Sequence, residues 1–136
     1  MGSGGDNGTE RLRYTPDHEW IDQTQPRRVR VGITEYAQQQ LGDVVFVDLP
    51  DEGTDVSAGT PMGEVESTKS VSDVFAPLGG KVVAVNGELE GAPELVNQEP
   101  YGRGWLVEIE VPEGSDLEGV LAGMLDAAGY REATQS

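Results

Sequence analysis

Through Arg28-Val-Arg-Val-Gly-Ile33, Val29, Val31 and Ile33 fall on one side of the chain and Arg28, Arg30 and Gly32 on the other. This is the period of a half-buried strand. The spacing then predicts a short helix over Thr34 to Leu41, with Thr34 as N-cap and Gly42 just past its end. Val44-Val-Phe-Val47 is a continuous β-branched and aromatic run, expected as a buried strand that closes into the turn Asp48-Leu-Pro-Asp-Glu-Gly53. Met62 to Ser67, Val71 to Ala76, Lys81 to Val85 and Trp105 to Val111 supply further strands, with Gly79-Gly80 and Asn86-Gly87 as turns. Near the end the period changes: Ser115 and Glu118 have the spacing of a capping box. Leu117, Val120, Leu121, Met124, Leu125 and Ala128 then recur on one helical face before Gly129. The pattern predicts a mostly β domain, a sandwich or flattened barrel, with a short helix after the second strand region and a C-terminal amphipathic helix at about 115–128. Residues 1–9 read as a flexible N-terminal tail, native or added, 10–130 as one domain without tandem repeats, and 131–136 as a C-terminal tail.

Composition narrows the function classes. The chain has 136 residues, with 25 acidic against 9 basic side chains, a formal charge of −16, a single histidine and no cysteine. Such an acid excess repels nucleic-acid phosphates and anionic membrane surfaces, so neither is expected as a partner. Without cysteine there is no disulfide framework, thiolate zinc site or cysteine nucleophile, and one histidine excludes a two-histidine metal site. No stretch approaches the roughly 18 apolar residues of a membrane span. The first residues lack both a secretory h-region and the Arg-rich character of a transit peptide. A bacterial cytoplasm is expected in preference to a mitochondrial matrix, and the chain is expected to be a monomer.

Conventional catalytic constellations fail. His18 in Pro16-Asp-His-Glu-Trp20 could serve as a base beside Asp17 and Glu19, yet neighbours on an extended chain face opposite sides. It reads better as a packed or hydrogen-bonded histidine near a strand start. The acids Asp48, Asp51, Glu52 and Asp55 include a proline between them and lack the twelve-residue calcium loop with its final glutamate. Tyr101-Gly-Arg-Gly-Trp105 has no phosphate-loop lysine and reads as a structural turn. There remains Lys69, one of only two lysines, in Gly63-Glu-Val-Glu-Ser-Thr-Lys-Ser-Val-Ser-Asp73 between two strand-like runs. A tight hairpin would hold it outward on a rigid tip, accessible to a modifying enzyme. By pattern alone an ordinary solvated loop lysine is the favoured reading.

Resemblance weighs in favour of Lys69 as a site. Glu64-Val-Glu-Ser-Thr-Lys-Ser-Val-Ser-Asp73 followed by Ala76-Pro-Leu-Gly-Gly-Lys-Val-Val-Ala-Val-Asn86 resembles the lipoyl-lysine hairpin and following strand of the glycine cleavage system H protein family. Ordered matches outside it are Tyr14 with Asp17-His-Glu-Trp20, Val31-Gly-Ile-Thr34, Tyr36-Ala37, Leu41-Gly-Asp-Val-Val-Phe-Val47, Pro93-Glu-Leu-Val-Asn97, and Pro100-Tyr-Gly102 with Gly104-Trp-Leu106. Together they span residues 12–130. Departures are mild: Thr68 where Val is frequent, Ser70 where Ala is common, and Lys81 where Glu is frequent. The rival Lys81 lies in a strand-like run, without an acid three residues before it.

The resemblance implies a lipoyl/biotinyl-type β-sandwich, or barrel-sandwich hybrid, that acts as a non-catalytic carrier. Lipoic acid would be joined by an amide to Lys69. The arm would take the aminomethyl group of glycine from the pyridoxal-phosphate decarboxylase (P-protein) to the tetrahydrofolate-dependent aminomethyltransferase (T-protein), and dihydrolipoyl dehydrogenase (L-protein) would reoxidise it. It also implies a cleft where the arm rests, formed by Glu19, Asp73, Ile33 and Asp17, with Glu19 and Asp73 facing the cargo amine. Glu66, three residues before the lysine, would guide the lipoylating enzyme, and Gly80 would be a turn glycine that places the hairpin. Alternatives are a lipoyl domain of a 2-oxoacid dehydrogenase, a biotin carrier, an H-like protein that relays lipoyl groups to other enzymes, and an unmodified acidic interaction domain. Biotin carriers usually frame their lysine with methionines, where this chain has Thr68 and Ser70. Simple lipoyl domains lack the Asp-His-Glu-Trp start and the C-terminal helix.

Overall fold

The computed structural model describes residues 11–135; the tail expected at 1–9 lies outside them. The described chain forms β1 (Arg13–Tyr14), β2 (Glu19–Gln25), β3 (Arg28–Ile33), α1 (Glu35–Leu41), β4 (Val44–Asp48), β5 (Asp55–Val56), β6 (Pro61–Ser67), β7 (Val71–Phe75) and β8 (Gly80–Val85). There follow α2 (Glu88–Gly91), α3 (Leu95–Gln98), β9 (Val107–Glu110), α4 (Leu117–Ala122) and α5 (Ala127–Gln135). One sheet has the order β1-β2-β3-β9-β8-β5 and the other β4-β6-β7, with antiparallel pairing throughout. A single core draws on both: Val29, Val31, Val82, Val107 and Ile109 from the first meet Val65 and Val74 from the second. The mostly β sandwich read from the pattern is thus the observed architecture, as two sheets that do not close into a barrel.

α1 forms as its spacing suggests. The Thr34 side chain accepts a hydrogen bond from Ala37 N–H, and Gly42, at φ +86°, ends the helix in a conformation open to glycine. β2 escapes a period-2 reading because both of its faces are covered. Ile21 enters the main core, while Trp20 enters a second cluster with Leu12, Tyr14 and Tyr130. Trp20 pairs with Gly32 on β3. A Cβ on Gly32 would lie 2.6 Å from the indole, so glycine there makes room for the ring.

Several expectations change. The run Val44 to Val47 is only half buried: Val44 and Val47 point inward, while Val45 and Phe46 are exposed, because pairing with β6 is irregular between Val44 and Phe46. Asn86-Gly87 forms the expected turn after β8 and leads into α2, with the Asn86 amide donating to the carbonyls of Arg103 and Trp105 and accepting from Glu88 N–H. Gly80 is not a turn glycine but the first residue of β8, in the sheet opposite the lysine hairpin. A Cβ there would lie 2.5 Å from the Glu110 carbonyl oxygen, so close strand packing is what excludes a side chain.

The single helix expected over 115–128 is two helices, α4 and α5. Leu125 leaves helical pairing to exchange both backbone hydrogen bonds with Tyr14, at 2.9 and 3.1 Å. Asp116 rather than Ser115 caps α4, accepting from Gly119 N–H. Val120 stays exposed, and Gly129, expected as the stop, lies inside α5. That helix takes in most of the stretch expected as a tail.

Candidate functional site

The hairpin between β6 and β7 carries Lys69 at its tip, and local hydrogen bonds hold the tip. Ser67 Oγ accepts from Lys69 N–H and Ser70 N–H, each at 3.1 Å, and Ser67 N–H donates to the Ser70 carbonyl at 2.8 Å. Thr68 N–H donates to the Asp43 carbonyl at 3.0 Å, which ties the tip to the loop after α1. A serine hydroxyl that turns the chain in this way restrains the backbone while leaving neighbouring side chains outward. Lys69 is exposed and takes part in none of the ion pairs among the described residues. Its aliphatic stem passes Gly42: a Cβ built there would lie 3.2 Å from Lys69 Cε. Lys81 lies within β8 opposite Asp55, with Nζ 3.9 Å from its carboxylate.

Beside the tip opens a cleft of ≈ 440 Å³. One wall is α1, presenting Tyr36, Ala37, Gln40 and Leu41; the other is Ser70 to Val74; and the end is Asp17, His18, Glu19 and Ile33. All four residues expected to form a resting cleft, Glu19, Asp73, Ile33 and Asp17, therefore line one cavity. The α1 residues were not singled out from the sequence. Their spacing places them on one helical face, which is the signal that could have found them.

Glu19 is 2% exposed. Its two carboxylate oxygens accept from Thr15 Oγ1 at 3.0 Å and Phe75 N–H at 2.9 Å. The second bond joins β2 of one sheet to β7 of the other. Burial pushes the Glu19 pKa up to about 7; the Phe75 and Thr15 hydrogen bonds oppose that rise and the nearby Asp17 adds to it. Asp73 and Asp17 are exposed, and Ile33 is buried at the cleft floor.

His18 departs from the extended chain assumed for Asp17 to Glu19. The segment is a turn in which His18 N–H donates to the Thr15 carbonyl and Thr15 Oγ1 accepts from Asp17 and Glu19 N–H. His18 has φ +69°, the left-handed region, and so Asp17, His18 and Glu19 face the same cleft. Its Nδ1 lies 2.8 Å from Tyr130 Oη, and its ring packs on Tyr36 with centroids 4.8 Å apart. Hydrogen bonding near a strand start, the reading favoured for His18, is what the structure holds.

Glu66 is exposed on the outer face of the three-stranded sheet, paired with Phe46 on one side and Val71 on the other. Both neighbours are more than half exposed, at 56% and 55%. Gly80 lies in the other sheet, as the first residue of β8.

Comparison with known proteins gives one consistent answer. The family model described as glycine cleavage H-protein matches residues 12–136. The glycine cleavage system H protein of Mycolicibacterium smegmatis is 63% identical over 120 residues, covering 88% of this chain and 91% of that protein. That of Mycobacteroides abscessus is 58% identical over 123 residues, covering 90% and 94%. The crystal structure of a glycine cleavage system H protein from Mycobacterium marinum superposes with a TM-score of 0.80 at 41% identity, covering 93% of this chain and 98% of that one.

Proposed function

The chain belongs to the glycine cleavage H-protein family, and from that membership we propose that it is a lipoyl carrier of glycine cleavage with Lys69 as its attachment point. The observation that carries this assignment is the placement of Lys69, exposed at a braced hairpin tip beside an open cleft with carboxylates at its far end. When bound, the lipoyl group supplies a disulfide able to accept the aminomethyl group and two electrons.

The chain's own residues fit such an arm. Ser67 and the Asp43 carbonyl hold the tip, and amide formation at Nζ disturbs none of the ion pairs among the described residues. Ile33, Leu41, Val65 and Val74 offer an apolar floor to a hydrocarbon chain, while Asp73, Asp17 and Glu19 offer negative charge to a cationic cargo amine. An amine kept protonated there has no lone pair with which to expel its sulfur, so the cleft would slow loss of the cargo to water. Glu19 and Asp73 are the assigned amine partners; Ile33 and Asp17 complete the cleft.

The partners follow from this role: P-protein (glycine decarboxylase), T-protein (aminomethyltransferase), L-protein (dihydrolipoyl dehydrogenase) and a lipoylating enzyme. Glu66 is assigned as a recognition point for the last of these. The relatives named above are bacterial, and no described helix is long and apolar enough to cross a membrane; the proposed location is the bacterial cytoplasm. Gly80 is assigned to packing between β8 and β9 rather than to recognition. Intact mass after growth with lipoate tests the central assignment. One lipoyl amide is expected in the native chain and in Lys81→Arg, and none in Lys69→Arg. Unmodified native protein from a host that lipoylates its own carriers would overturn it.

A further inference from the structure

The cleft's end wall is held by a residue from the far end of the chain. Tyr130, on α5, is 9% exposed, and its hydroxyl lies 2.8 Å from His18 Nδ1 and 2.7 Å from Thr34 Oγ1. Both partners border the cleft. His18 lines it from a left-handed backbone, and Thr34 caps α1, whose residues form one wall. Thr34 N–H also donates to the His18 carbonyl at 3.0 Å, so the phenol closes a ring of contacts around that junction. The Tyr130 ring stacks on Tyr14 with centroids 4.7 Å apart, 12° from parallel, which fixes where the hydroxyl points. Non-glycine residues at positive φ persist where their surroundings over-determine them, and here one hydroxyl meets both the left-handed turn at His18 and the cap of α1.

We propose that Tyr130 is a positioning residue for the arm cleft: its hydroxyl sets the His18 ring and the Thr34 cap, and through them the C-terminal helix determines how well the cleft holds the arm. This rests on the reading of the cleft as the resting place of the arm. The bond to His18 has two possible directions. Either Tyr130 donates to His18 Nδ1 and accepts from Thr34, or it accepts from His18 Nδ1–H and then donates to Thr34 or accepts from it as well. In each, the phenol selects one imidazole tautomer, and among the described residues no hydrogen bond engages Nε2.

Tyr130→Phe keeps the stacked ring and removes only the hydroxyl. Tyr14→Phe is the matched control, because it removes a buried phenol from the same aromatic cluster outside the hydrogen-bonded chain. The first readout uses the unmodified protein, whose single histidine gives one unambiguous set of imidazole nitrogen resonances. In Tyr130→Phe the Nδ1 shift should move, and Ala37 N–H, capped by Thr34, should exchange about three- to tenfold faster. The second readout is loss of cargo from the loaded carrier as released ammonia, which should rise by about threefold while Tyr14→Phe stays at the native rate. Faster cargo loss in Glu19→Gln and Asp73→Asn but not in folded Tyr130→Phe would overturn the positioning role alone. No change in any of the three would overturn the cleft reading beneath it. A Tyr130→Phe protein that shifts His18 without changing cargo loss also overturns the proposal, because the contact would then be structural only.

Discussion

Replacing Glu19 by glutamine tests whether a buried carboxyl in the cleft is kept at a cost to the fold. The Glu19 pKa is pushed from 4.5 up to about 7, chiefly by burial. A carboxyl with a raised folded-state pKa binds its proton more tightly in the native chain than in the unfolded one. Its ionisation therefore costs nothing below pH 4.5, and stability is lost as pH climbs from there through 7. At about 1.4 kcal/mol per unit, the loss above pH 7 is about 3 kcal/mol. Glutamine cannot titrate, and its carbonyl can still accept from Phe75 N–H across the two sheets. The free-energy difference between Glu19→Gln and native protein should therefore grow in favour of the variant by about 2.5 kcal/mol between pH 5 and pH 8. Urea denaturation of the unlipoylated proteins at four pH values measures it. Taking the difference cancels the titration of the acids that both proteins share. Parallel stability curves, or a difference that shrinks with pH, would refute the reasoning, since the hydrogen bonds from Thr15 and Phe75 would then outweigh desolvation.

The same perturbation separates stability from function. A cation seated beside Glu19 favours its ionised form, so cargo loading below pH 7 should be accompanied by proton release, and Glu19→Gln should abolish that release while losing cargo faster. A variant both more stable at pH 8 and worse at holding cargo is the pattern expected of a group retained for its chemistry.

Gly80→Ala should destabilise the fold by about 2 kcal/mol or more, because its Cβ would meet the Glu110 carbonyl at 2.5 Å. The fraction that remains folded should still accept lipoate at the native rate. Glu66→Gln should do the reverse, leaving the urea midpoint within about 0.5 kcal/mol of native while slowing lipoylation, as measured by the rate of mass gain. Raising salt from 50 to 300 mM should raise the apparent KM of P-protein for the carrier, because a chain of net charge −16 that docks on basic surfaces is screened beyond about 10 Å. A KM insensitive to salt would assign docking to the exposed apolar pair Phe46 and Val71 instead.

The hairpin that carries Lys69 was legible because most of what shapes it is local, whereas its tie to the Asp43 carbonyl was not, and Lys69 stood out as a site only through resemblance. Ser67, Thr68 and Ser70 supply the turn chemistry, and the β-branched runs on either side supply the strands. The carboxylates of the cleft were legible only through resemblance, since Asp17 and Asp73 are 56 positions apart and nothing in their local spacing brings them together. The turn at Thr15 to His18 was hidden for a different reason. It depends on one threonine hydroxyl that collects two backbone donors and so places three consecutive residues at one cavity, contrary to strand alternation. Tyr130 was hidden most deeply. A period analysis sees a helix running on past Leu125, but the Leu125 backbone pairs with Tyr14 and the helix restarts at Ala127. It is from this restarted helix that Tyr130, 112 positions from His18, reaches the turn. The part of the site most remote in sequence is thus determined by a strand contact at the opposite end of the chain. It follows that residues governing the cleft should be sought where helical periodicity is interrupted, as well as in the lysine hairpin itself.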